Sequence, residues 1–175
     1  LEGESDRTLQ TQLFHERVLP DLGRNIKCGN SLIGPDFYEQ QSLSLDDIER
    51  ARINVFDWEK EFPDIFKPSP SGRGMGEGGF DVVIGLPPYG ASLIDEEKRY
   101  LGRAYPFVSD FETSQYFLAR SRGLVRNDGH VSFIVPNTVF LNVYAQAFRH
   151  YIATSFCVDQ VADLSEMDVF KGATV

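Results

Sequence analysis

Basic residues are in short supply in this 175-residue chain: 17 lysines and arginines stand against 26 aspartates and glutamates, a formal net charge of −9. So acidic a balance excludes a self-sufficient DNA-binding module, which would carry a basic face. If DNA is the substrate, another segment must grip the phosphates. Cysteine is scarcer still. The only two, Cys28 and Cys157, lie far apart and form no metal-ligand spacing, so they read as buried thiols in a reducing compartment and no metal site is assigned. No apolar run approaches the roughly 18 residues of a membrane span and no signal peptide is evident, so the expected location is cytoplasmic with no membrane partner. Apolar residues are not lacking. At 42% hydrophobic and 13% aromatic, the chain can bury the core of about one globular domain.

The most informative stretch is Phe80-Asp81-Val82-Val83-Ile84-Gly85-Leu86-Pro87-Pro88-Tyr89-Gly90. Bulky residues at 80–84 suit a strand, and Gly85 with two prolines ends it abruptly. Proline supplies no amide and fixes its own φ, so the carbonyls of Leu86 and Pro87 sit in a stiff arc that a ligand can read, with Tyr89 available to stack on it.

Elsewhere the spacing of Leu9, Leu13, Val18, Leu19 and Leu22 predicts a helix over 8–24, broken or kinked at Pro20. Residues 26–28 predict a short strand, followed by a polar turn at 29–34. Ser44 is expected to cap a helix containing Ile48-Glu49-Arg50-Ala51. Phe56, Trp58, Phe62 and Phe66, interspersed with acids, are expected to pack over a sheet rather than to stack on bases. Residues 67–79, rich in Pro, Ser and Gly, read as a flexible loop inside one domain. Then come an irregular segment at 91–109, a helix over 111–125, a turn at Asn127-Asp128-Gly129, a strand over 130–135 ended by Pro136, and a helix presenting Phe140, Tyr144, Phe148 and Tyr151 on one face. A last strand is expected at 156–164. Alternating strands and helices predict an α/β fold with a parallel sheet covered on both faces, whose ligand site lies beyond the carboxyl ends of the strands, where Pro87, Tyr89, Pro136 and Phe170 would gather.

The Leu86-Pro87-Pro88-Tyr89 segment resembles motif IV of DNA amino-methyltransferases, in which Asn, Asp or Ser precedes Pro-Pro-Tyr/Phe. The order of segments over about residues 8–175 is similar to the catalytic domain of gamma-class N6-adenine DNA methyltransferases, as fused in type IIG restriction-modification enzymes. The resemblance implies that Pro87, Pro88 and Tyr89 receive a base flipped from the duplex, with Tyr89 and Phe170 packing against it. Unstacking a base costs a few kcal/mol, and aromatic stacking returns roughly 1–3 kcal/mol. It also implies that Asn30, Ser31 and Leu32 border the adenine of S-adenosylmethionine. Glu112 stands in the motif V region, where Asn or Asp is usual. The 56–66 segment looks like the aromatic, acidic run that precedes motif IV, Val131-Ser132-Phe133-Ile134-Val135-Pro136-Asn137 looks like motif VI, and Val169-Phe170 like motif VIII.

Two departures bear on chemistry. Leu86 occupies the position of the amine-accepting Asn, a degenerate catalytic position, and leucine offers no acceptor. No glycine-rich strand-to-helix turn precedes Asn30; the Gly72-Arg73-Gly74-Met75-Gly76 run lacks the preceding strand. The resemblance therefore implies a middle slice of one methyltransferase domain, a partial Rossmann-like sheet lacking the first two strands and the last, without the cofactor motif or the DNA-specificity domain. In the family's strand order only the strands at 80–84 and 130–135 would be neighbours, leaving those at Ile26 and Val158 unpartnered. Such a slice is expected to be marginal alone, or to need self-association or the missing amino-terminal and specificity segments. The expected function is part of an adenine-N6 DNA methyltransferase, inactive as this chain. The alternatives are a non-catalytic base-binding or assembly subunit, and methylation of cytosine N4 or of protein glutamine. The paired acids at 46–47, 59–61 and 95–97 read as solvated faces rather than nuclease carboxylates, and His15, His130 and His150 as isolated residues.

Overall fold

The structure, a computed structural model, describes residues 22–39, 46–66 and 78–164. The expected helix at 8–21 and Phe170 lie outside the described residues, as does most of the 67–79 loop. Residues 22–26 make a turn, in which the amides of Asn25 and Ile26 both donate to the Leu22 carbonyl.

Strand β1, Phe80–Gly85, falls where the bulky run before Gly85 and the prolines placed it. It pairs in parallel with β2, Val125–Phe133, through Val82↔His130, Val83↔Val131, Ile84↔Ser132 and Gly85↔Phe133. These are the two strands expected to be neighbours. Strand β2 begins earlier than expected, because Asn127-Asp128-Gly129 does not end an element. Instead Asp128, at φ 59°, forms an irregularity within the strand, between the Phe80↔Val125 and Val82↔His130 pairs. Short polar residues tolerate that left-handed backbone, so a turn signal here marks a bulge.

Six helices precede or link the strands: α1 Asp36–Glu39, α2 Asp47–Ile53, α3 Trp58–Glu61, α4 Pro63–Phe66, α5 Asp95–Ala104 and α6 Thr113–Ser121. Asp46, not Ser44, caps α2: its carboxylate accepts from the Glu49 amide at 2.7 Å, and the Glu49 carboxylate accepts from the Asp46 amide at 3.1 Å. The 91–109 segment is not irregular, since α5 occupies its centre and buries Tyr100 and Leu101. The helix expected over 111–125 is shorter, because Gly123 lies in the turn that leads into β2. After β2 the chain forms α7, Thr138–Leu141, a 3₁₀ turn, Val143–Ala145, and α8, Gln146–Ser155. With the helix broken at Asn142, Phe148 is buried and Tyr151 half-buried, while Phe140 and Tyr144 face solvent.

The core has two clusters. Leu32, Ile33, Phe37, Ile53, Tyr100, Leu101 and Tyr116 form one, and Ala119, Val139 and Phe148 the other; Tyr105 and Val108 pack against both. Each fully buried large apolar side chain contributes on the order of 1.5–3 kcal/mol. The expected aromatic packing is present: Phe62 and Phe66 meet the Phe80 ring edge-on at 5.4 and 5.6 Å, and Phe56 meets Trp58 at 4.9 Å.

Three expectations fail for a common reason, the scarcity of partners among the described residues. No strand forms at 26–28 or 156–164, where apolar side chains face solvent and the only nearby pairing is the Asn30↔Val55 bridge. Cys28 and Cys157 lie in these segments and are exposed, not buried. Among the described residues nothing covers the face of β1 that carries Val82 and Ile84, which are exposed. Among the described residues no helix is long and apolar enough to cross a membrane.

Candidate active site

Directly beyond β1, residues 86–90 form a turn whose shape is set from two sides. On one side Thr113, at the start of α6, donates its hydroxyl to the Pro88 carbonyl at 2.7 Å and accepts from the Ala91 amide at 3.2 Å. Thr113 is almost fully buried, so its hydroxyl is shielded on its own side from bulk water. On the other side the Tyr89 hydroxyl donates to the Ile134 carbonyl at 3.2 Å, just past β2. That bond brings Tyr89 to the end of the strand that leads to Pro136, so the turn and the Pro136 corner lie at one end of the sheet. Prolines stiffen the turn, and these bonds aim it.

Within the turn, Pro87 is buried while Leu86 is 59% exposed. The Pro88 carbonyl is taken by Thr113, whereas no donor among the described residues reaches the carbonyls of Leu86 or Pro87. An apolar side chain, two unspent carbonyls and a fixed aromatic ring thus share one edge of the sheet. This arrangement can stack a flat ring and accept from its polar edge.

The residues expected at a cofactor have other partners. Asn30 donates through Nδ2 to Glu97 of α5 at 3.0 Å, and its Oδ1 accepts from the Leu32 amide at 3.2 Å. Leu32 is buried in the core. The Ser31 carbonyl accepts from the Trp58 indole at 3.2 Å. Glu112 is the N-cap of α6; its Oε1 accepts from the Ser114 amide at 3.2 Å and hydroxyl at 3.0 Å, and from the Gly90 amide at 3.5 Å. Asn30 and Ser31 are therefore tied to α5 and α3, and Glu112 to the Pro-Pro-Tyr turn. A shallow cleft of about 360 Å³ lies beside Ser31, walled by Phe56, Trp58 and Phe62 and rimmed by Lys27. The Lys27 ammonium is paired with Glu61 at 3.0 Å.

Sequence reasoning missed Thr113, Glu97 and the Ile134 carbonyl. A threonine next to a helix N-cap carries no signal of a bond to a carbonyl 25 residues away.

Comparison with known proteins places this chain in a family. A family model described as Eco57I restriction-modification methylase matches residues 7–170. The chain belongs to the Eco57I restriction-modification methylase family. It is 32% identical over 127 residues to a Methanocaldococcus jannaschii protein named for a type II restriction enzyme and methyltransferase, which covers 73% of this chain and 10% of that protein. With a type II restriction enzyme and methyltransferase of Escherichia coli the identity is 26% over 185 residues, 99% of this chain and 15% of that protein. The chain thus spans a small part of the length of these relatives. No solved structure is significantly similar.

Proposed function

We propose that this chain forms the target-base side of an S-adenosylmethionine-dependent DNA methyltransferase acting on adenine N6 within a restriction-modification protein. The observation that carries the reading is the turn at Leu86–Tyr89, held by Thr113 and Ile134 with the carbonyls of Leu86 and Pro87 unspent. A flipped adenine stacks on Tyr89, and its exocyclic amine donates to one of those carbonyls. The methylase family supports this reading, as does the place of the turn beyond the carboxyl end of a parallel strand.

S-adenosylmethionine would supply the methyl group. The described residues do not by themselves fit it: the Asn30 amide is spent on Glu97 and Leu32, Leu32 is packed in the core, and the Glu112 carboxylate caps its own helix. In this reading other parts of the complete protein hold the donor, and Asn30 and Ser31 contribute only the border of its site.

Leu86 sets the chemical limit. Where the family resemblance places an amine-accepting Asn, leucine leaves one amine hydrogen without its acceptor, a loss on the order of 1–3 kcal/mol. If that bond tightens in the transition state, the loss falls on the rate constant. In this reading the chain alone, with no site of its own for the donor and one acceptor missing, transfers no methyl, and the same leucine favours a second reading, a base-binding subunit that moves no methyl. The test is product analysis. The complete protein is incubated with labelled S-adenosylmethionine and unmethylated DNA, and the digested nucleosides are separated. Label in N6-methyladenine supports the reading; label in N4-methylcytosine or in protein overturns its adenine assignment. Retention of a flipped base with no labelled product selects the subunit.

A further inference from the structure

The ladder between β1 and β2 makes its last bond where the Ile134 amide donates to the Gly85 carbonyl at 3.1 Å. The next two carbonyls, of Leu86 and Pro87, accept from no donor among the described residues. Each of these residues precedes a proline, which holds it in extended backbone. In such a chain successive carbonyls turn by about a third of a rotation, so one nitrogen meets only one of them. The side-chain acceptors that reach the turn are committed elsewhere. Thr113 accepts from the Ala91 amide, and Glu112 Oε1 accepts from the Gly90 amide and from the amide and hydroxyl of Ser114. Leu86, the first residue of the turn, adds an apolar side chain that is 59% exposed. An exocyclic amine entering the turn is thus offered one acceptor and a hydrocarbon surface.

We propose that the Leu86–Tyr89 turn binds a monomethylated exocyclic amine, that of N6-methyladenine, in preference to the unmethylated base. This rests on the base-receiving reading above and names the form of the base that the site holds. An adenine amine carries two hydrogens, and the second meets leucine, which leaves a donor unsatisfied. An N6-methylated amine carries one hydrogen and one methyl group. Its hydrogen satisfies a carbonyl and its methyl lies on Leu86, so no donor is stranded and apolar surface leaves water. Thymine, whose ring also carries a methyl group, fits less well: beside that methyl stands a carbonyl oxygen, which would face the carbonyls of the turn. Leu86 is therefore the specificity-determining residue. The side chain that withholds an acceptor from the substrate amine supplies a contact for the methyl group of the product.

The test uses the complete protein that carries this chain and long mixed-sequence duplexes copied by a polymerase. One strand contains ordinary bases, N6-methyladenine in place of adenine, or N4-methylcytosine in place of cytosine. Affinities are measured by competition against a labelled unmodified duplex, for the wild type, Leu86→Ala and Leu86→Asn. The wild type is expected to prefer N6-methyladenine roughly tenfold over adenine, from one methyl placed on leucine and one donor no longer stranded. Leu86→Ala is expected to keep part of that preference and Leu86→Asn to abolish or reverse it. Any effect of the methyl group on the duplex itself is common to all variants, so the change on Leu86→Asn isolates the side chain. Because Leu86 is exposed, the variants should keep their melting midpoints, and the wild-type comparison stands without them. Equal wild-type affinity for adenine and N6-methyladenine overturns the proposal, as does a preference that a folded Leu86→Asn variant leaves unchanged. A preference for N4-methylcytosine instead overturns the adenine assignment. If the wild type binds none of the duplexes, the base-receiving reading itself fails and the proposal with it.

Discussion

Thr113 donates a 2.7 Å hydrogen bond to the carbonyl of Pro88, and through it the first turn of α6 fixes the turn at the end of β1. The same hydroxyl accepts from the Ala91 amide, so one buried oxygen closes both sides of the Pro-Pro-Tyr segment. Of the three carbonyls at 86–88 this one is consumed, and no donor among the described residues reaches the other two.

Thr113→Val keeps the volume but leaves the Pro88 carbonyl and the Ala91 amide without their partner. The expected cost is about 1–3 kcal/mol of stability, with faster exchange at the Ala91 amide. Thr113→Ser is expected to retain most of both. Urea unfolding and amide exchange by nuclear magnetic resonance check this, and equal behaviour of the two variants would contradict it.

Gly29 lies against Phe56 so closely that a Cβ on it would clash with a Phe56 ring carbon and stand 2.9 Å from the Phe56 Cβ. Because the Phe56 Cβ is fixed by its backbone, rotating the ring cannot relieve the clash. Gly29→Ala is expected to cost about 1–3 kcal/mol. It should also shift the emission of Trp58, the only tryptophan, whose ring lies 4.9 Å from that of Phe56. An unshifted emission and an unchanged urea midpoint would show that this packing is absent in solution.

Burial pushes the phenols of Tyr100 and Tyr116 up to about 12 from 10.0, and the Tyr100 hydrogen bond to Asp36, 2.8 Å long, adds to its share. The folded chain keeps these protons at a pH where the unfolded chain releases them. Stability is therefore fully present below pH 10 and declines as pH rises from 10 towards 12. Urea midpoints across that range check the slope, and Tyr100→Phe with Tyr116→Phe should flatten it. Tyr116→Phe should not destabilise near neutrality, since the Tyr116 hydroxyl is buried without a partner among the described residues.

Much of what the sequence announced was local. The run from Phe80 to Gly85 carries its own strand signal and its own stop, and β1 occupies those residues. The pairing of β1 with the strand before Pro136 was also legible, because the family resemblance made those two neighbours. What depends on distant partners was not legible. Ile26 and Val158 sit in apolar segments that read as strands, yet a strand needs a hydrogen-bonded neighbour, and none is present among the described residues. Asp128 looked like a turn because Asn-Asp-Gly favours φ above zero, and the same preference serves a bulge inside β2. At the site, the Pro-Pro-Tyr turn was visible as a motif. The Thr113 clamp and the Glu97 bond to Asn30 arise from tertiary contact and leave no pattern in the chain.

The central claim is that the turn at Leu86–Tyr89 receives an adenine amine and that Leu86 withholds one of its acceptors. Leu86 is exposed, so Asn at this position needs no repacking of the core. The most direct measurement is the rate of methyl transfer from S-adenosylmethionine to adenine in DNA by the complete protein and by its Leu86→Asn variant. Restoring an acceptor worth about 1–3 kcal/mol predicts a rate gain of roughly 5-fold to 150-fold, in kcat rather than in KM. An unchanged rate in a variant that still folds and binds DNA would contradict the account.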